Sequence, residues 1–143
     1  MKRSLCIGLA ALFAALAPAP ATEQDVPPPP PQDPAALARL RAEAGVRAFE
    51  MTWLYYSENR IPSEKVYWSS RRLLEAQRDA AADGPGRVAA FEAHLERIGR
   101  LEAKIARIRK LGFGNSLDVL DTDYYRREAD FWLAEARAKA PAR

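Results

Sequence analysis

The chain has 143 residues, with 22 basic against 19 acidic side chains for a formal net charge of +3, and one cysteine, Cys6. This length supports one small domain. So nearly neutral a chain lacks the single-signed field with which nucleic-acid binders displace counterions from phosphates, so nucleic acid is excluded as a partner.

In residues 1–21, Lys2 and Arg3 open a charged stretch, Leu5 to Ala17 is an apolar run too short to span a bilayer, and Ala19-Pro20-Ala21 is a small-x-small cleavage site. The pattern predicts a signal peptide cut after Ala21, which places the mature protein in the periplasm or outside the cell. Cys6 leaves with the signal. The mature chain then has no thiol for catalysis, thiolate metal binding or disulfides, and its charge falls to +1 with the loss of Lys2 and Arg3. Residues 22–33 read as a proline-rich, disordered linker whose run Pro27–Pro31 favours an extended polyproline strut. Such a run also serves as a ligand for aromatic grooves, though readers of that kind are chiefly intracellular.

Asp33 and Pro34 form a helix start, and the first helix is predicted to run to about Asn59. Leu37, Leu40, Ala44, Ala48, Met51 and Tyr55 recur at helical spacing as its apolar face, widened by Phe49, Trp53 and Leu54, with Glu43 and Arg47 as an i,i+4 pair. Pro62 breaks the pattern, and Ser63 is predicted to cap a second helix to about Ala81 with Val66, Tyr67, Ser70, Leu73, Leu74, Gln77 and Ala81 on one face. Asp83 to Gly86 reads as a turn. From Arg87, the residues Val88, Phe91, Leu95, Ile98, Leu101, Ile105, Ile108 and Leu111 mark a long helix closed by Gly112 and Gly114. Asn115 or Ser116 caps a last helix whose face holds Leu117, Leu120, Tyr124, Phe131, Leu133 or Ala134, and Ala138, and Pro141 stops it. No window alternates apolar and polar residues as a strand would. The fold class is all-α: an antiparallel helical hairpin or small up-and-down bundle of about four helices over residues 34–140, with coiled-coil-like packing.

No constellation of catalytic residues emerges. His94 is the only histidine, no nucleophile motif accompanies it, and lone helical histidines usually lie at a surface or interface. Asp118, Asp121 and Asp123 do not follow calcium-loop spacing and suit the positive end of a helix dipole instead. Arg97, Arg100, Lys104 and Arg107 form a basic stripe read as a solvated outer face, with Glu96 pairing to Arg100; contact with anionic lipid is its minor alternative. No catalytic residue, cofactor or metal ligand is therefore assigned, and no small-molecule substrate is evident. The aromatics are too many for one narrow stripe, and Trp68, Tyr124, Tyr125 and Trp132 are the candidate partner surface.

Gly112-Phe-Gly114-Asn-Ser116-Leu-Asp118-Val-Leu-Asp121 and the helix after it resemble, over residues 104–138, the segment where the periplasmic helices of TolC-like outer-membrane efflux factors break and restart. That resemblance implies a helical hairpin docking on an efflux assembly; the chain lacks the length and the alternating strands of the channel itself. The Trp68–Ala76 and Tyr124–Ala136 stretches also resemble exported helical proteins of bacteria that carry no known activity. The leading expectation is an exported, non-enzymatic helical protein of the bacterial cell envelope, acting by contact with itself or a protein partner. An accessory or remnant of an efflux assembly is one alternative. A small exported enzyme or metal binder, built where acidic groups converge on His94, is the other.

Overall fold

The computed structural model describes residues 33–140, and among these it has four helices and no strand: α1 (Pro34–Ser57), α2 (Ser63–Ala80), α3 (Gly84–Lys110) and α4 (Ser116–Lys139). The expected signal segment 1–21, Pro27–Pro31 and Pro141 lie outside the described residues. Local chemistry sets most helix ends. The Asp33 side chain accepts from the Ala35 amide at 3.0 Å, and Asn115 accepts from the Asp118 amide at 2.8 Å. Two starts differ from expectation. Pro62, which has no side chain to offer, is the cap of α2, and the Ser63 hydroxyl donates to Asp118 of α4 at 2.8 Å. Gly84-Pro85-Gly86 belongs to α3: Asp83 accepts from the Gly86 amide at 2.7 Å, and a proline in a first turn loses no hydrogen bond.

The C-termini of α1 and α3 close alike. Gly112, at φ 81°, lets the Phe113 amide reach the Ile108 carbonyl (3.1 Å) and its own amide reach that of Arg109 (3.0 Å). After α1 the left-handed position is held by Asn59, φ 58°, with Arg60 bonded to Tyr55 (2.9 Å) and Asn59 to Tyr56 (3.0 Å). Both are Schellman closures, which return orphaned carbonyls to the chain before it reverses.

Successive helices pack on one another and alternate in direction. Arg41 meets Asp79 between α1 and α2, Ser70 meets His94 between α2 and α3, and Glu92 meets Arg137 between α3 and α4. The result is an up-and-down bundle with α2 and α3 at its centre. One flank of that pair joins α1 through Phe49, Tyr56, Val66, Leu73, Leu101 and Ile105; the other joins α4 through Tyr67, Ile98 and Ala129.

On α2 and α3 the predicted faces hold the buried residues, Val66, Tyr67, Ser70, Leu73 and Leu74 on α2 and Ile98, Leu101 and Ile105 on α3, although Leu111, placed last on the α3 face, is exposed. The outer helices correct the expectation. On α1 the face predicted to be buried is outside, with Leu37 45%, Leu40 58%, Met51 49% and Tyr55 37% exposed, while Phe49 and Tyr56 are buried. On α4, Leu117, Leu120, Tyr124 and Phe131 are exposed and Thr122 and Ala129 are buried; of the predicted face Leu133 alone is buried. The reason is distance of approach. A Cβ on Gly45 would stand 3.1 Å from Leu73 Cδ1 and 3.7 Å from Leu73 Cα, so α1 lies against α2 on its small-residue side, which the leucine side could not do.

The basic stripe of α3 is corrected too. Arg97, Arg100 and Lys104 do not simply line a solvated face: they lie over Phe49 (5.5 Å), Trp53 (4.2 Å) and Tyr56 (5.3 Å) of α1, a cation–π ladder that runs parallel along both helices. Arg100 and Arg107 stay exposed, while Arg97 and Lys104 are half-buried. Neither Glu43–Arg47 nor Glu96–Arg100 is among the ion pairs of the described residues.

Candidate functional site

The four aromatic residues singled out in the sequence come together on the α2/α4 side, joined by two residues that were not singled out for that surface. The parallel run of α2 and α4 sets Tyr67 against Tyr125 as stacked rings, centroids 3.8 Å apart and 10° from coplanar. Tyr124 meets Tyr125 edge-on at 6.1 Å, and Trp68 meets Tyr67 edge-on at 5.1 Å. Arg71, one turn further along α2, sits between Trp68 (5.4 Å) and Trp132 (5.1 Å), and Trp132 leads inward to His94 at 5.9 Å. Trp68 and Tyr124 are exposed, Tyr125 and Trp132 half-buried. The cluster thus has a packed inner part and two aromatic ends in solvent.

Its polar atoms are mostly satisfied from within. The Tyr67 hydroxyl donates to Glu128, which lies 3.5 Å from the Tyr124 hydroxyl, and Arg71 reaches the Tyr67 oxygen at 3.4 Å and Glu75 at 3.7 Å. Burial, reinforced by Glu128, pushes the Tyr67 phenol up to about 12. That hydroxyl keeps its proton at neutral pH, so the cluster presents ring faces and hydrogen-bonding groups and no titrating phenol.

Inward lies a polar knot that the sequence did not disclose. Ser70 and His94 are both 0% exposed. Arg97 Nε donates to Ser70 Oγ at 2.9 Å, Arg97 Nη2 reaches Gln77 at 3.3 Å, and Ser70 Oγ lies 2.9 Å from His94 Nδ1. With Arg97 donating to it, the serine hydroxyl has its proton for Nδ1, leaving the imidazole proton on Nε2, which is buried without a hydrogen-bond partner. Burial first, then the nearby Arg97 and Arg71 guanidiniums, hold His94 down at about 4, so it is neutral at physiological pH. Burial likewise lowers Arg97 to about 10, and it stays charged at neutral pH. The expectation of a surface or interface histidine is therefore corrected: helical spacing puts His94 on the same face of α3 as Leu101 and Ile105.

The contact has the polarity of a serine–histidine pair but neither solvent access nor a basic imidazole. No acidic groups converge there either, since cations surround His94. Asp118 is taken up by Ser63 and Asp123 by Arg127 (3.0 Å), and among the described residues no group of three or more His, Cys, Asp or Glu side chains could hold a metal ion. No described helix is long and apolar enough to cross a membrane.

A separate feature is the outer face of α4. Leu117 (62% exposed), Leu120 (67%), Tyr124 (61%) and Phe131 (63%) form an apolar stripe that Phe113 (70%) extends around the tip of the α3–α4 hairpin. Monomeric surfaces usually scatter such residues singly, and here they run along one helix. Comparison with known protein families, with characterised proteins and with solved structures finds no match. The likeness of residues 104–138 to efflux factors gains no support from them.

Proposed function

We propose that this is an exported, non-enzymatic helical protein of the bacterial cell envelope that works by docking the outer face of α4 against the helices of another protein. The observation that carries the reading is the exposed stripe Leu117, Leu120, Tyr124 and Phe131, which ends beside the Trp68–Arg71–Trp132 cluster. Aromatics with arginine beside an apolar stripe are the composition of binding hot spots. Supporting the non-enzymatic part, the one serine–histidine contact is sealed in the core. Supporting export, residues 1–21 have the three parts of a secretory signal.

A photoreactive amino acid at Leu120 or Tyr124, with a control at Arg107 on α3, tests the reading in cells. A discrete protein adduct from the α4 positions, lost on Leu117→Asp, is the expected result; equal labelling from all three positions overturns it. Recovery from the periplasm of a chain starting at Thr22 checks the export step. The efflux-assembly alternative places its contact at the hairpin tip, where Leu111 and Phe113 are exposed, so adducts with an efflux component from Phe113 alone would favour it.

A further inference from the structure

We infer that α1 carries a second, self-complementary face, and that two copies of this chain associate by packing their α1 helices antiparallel. The inference concerns a different helix from the proposed partner face and does not rest on it. The outer stripe of α1 reads Leu37, Leu40, Ala44, Ala48, Met51, Tyr55, with large residues at both ends and alanines at the centre. Reversing the helix brings the stripe onto itself. Leu37 then meets the partner's Tyr55, Leu40 meets the partner's Met51, and Ala44 meets the partner's Ala48. A two-fold contact demands this property, since each residue must suit its mate in the same patch. The central alanines let the two backbones approach closely.

Charge agrees with the same register. Glu43 and Arg47, beside the alanines, make no ion pair among the described residues, and reversal sets Glu43 against the partner's Arg47 twice over. Size also points to where the partner sits. A 24-residue helix is about 36 Å long, so α1 against α1 alone falls short of the roughly 1,600 Å² of a standard interface. Beside the stripe, α1 and α2 leave a groove of about 1140 Å³ with Ala44, Gly45, Ala48 and Ala76 along it and Trp68 at its wall. A partner α1 leaning into that groove adds α2 to the contact. The α4 stripe has no such symmetry: its large residues crowd the first half, and Arg127, paired to Asp123, interrupts it. It suits a different partner, and α1 suits a second copy.

Sedimentation equilibrium across the micromolar range tests this on the purified protein, with circular dichroism melting as the check of folding. The wild type is expected as a dimer and Ala48→Glu as a folded monomer. Arg47→Glu sets like charges opposite one another and weakens the dimer roughly ten-fold. Glu43→Arg with Arg47→Glu restores the dimer, because the swapped pair meets again only in the antiparallel register. A monomeric wild type, a larger oligomer, or a dimer that Ala48→Glu leaves intact overturns the inference. So does a charge swap that fails to restore what Arg47→Glu weakened. If Ala48→Glu fails to fold, the charge series decides alone.

Discussion

The inner and outer helices of this bundle treat their apolar residues in opposite ways. In α2 and α3 the apolar stripe of the sequence is the buried face, and residues such as Val66, Ile98 and Leu101 are wholly enclosed. In α1 and α4 the comparable stripe faces out, while small residues and aromatics face in. An inner helix has neighbours on two flanks and covers most of the large side chains it presents, Trp68 of α2 being an exception. An outer helix has neighbours on one side only, and there α1 seats Gly45 against Leu73 and stacks its aromatics on the α3 cations. Its remaining leucines have nothing among the described residues to cover them. Exposed stripes on both outer helices are what the proposed contacts with further helices would cover.

Substitutions should separate the two regions. The largest effect is expected in the inner pair: Leu101→Ala leaves a cavity between α1, α2 and α3 and costs about 2–5 kcal/mol in denaturant unfolding. Acid is expected to act at the same centre. The folded-state pKa of His94 is depressed to about 4 from 6.5, so the unfolded chain binds the extra proton between those values. The contribution of the neutral histidine is fully present above pH 6.5 and is lost as pH falls toward 4, at most on the order of 3 kcal/mol. The slope of stability against pH in that window should flatten in His94→Gln; an unchanged slope would mean the depression is absent. Next comes the seat of α1. Gly45→Leu forces a side chain into Leu73 and should cost about 1–3 kcal/mol, whereas a neutral outcome would mean that α1 can turn its leucine face inward. The smallest effect belongs to the outer stripe, where Leu120→Ser should change monomer stability by no more than about 0.5 kcal/mol while removing partner contact. A large loss there would show that the stripe is part of the core.

Helix limits were legible because they are local: Asp33, Asn115, Gly112 and Pro62 each act on the amides and carbonyls within a turn. Faces were legible on α2 and α3, where only one side of each helix is rich in large apolar residues. They were not legible on α1 and α4, which each carry two apolar sides. Spacing cannot say whether leucines or a glycine with aromatics will meet the neighbour. The aromatic surface was half legible: Trp68, Tyr124, Tyr125 and Trp132 stood out by number, but the Arg71 and Tyr67 that join them did not. Ser70 and His94 lie 24 positions apart on different helices, so nothing in local order pairs them. The one available signal was that both fall in register with their helix's large apolar residues.

By itself, then, the order of residues determined that the described chain is four helices, where most of them start and stop, and which face of the central pair is hidden, since propensity, capping and periodicity act over a few residues. Only the tertiary structure decided which side of α1 and α4 turns inward, that Arg97, Arg100 and Lys104 lie over the aromatic rings of α1, and that Ser70 meets His94. Those outcomes depend on how closely two backbones can approach, a quantity that belongs to pairs of helices and to no single stretch of sequence.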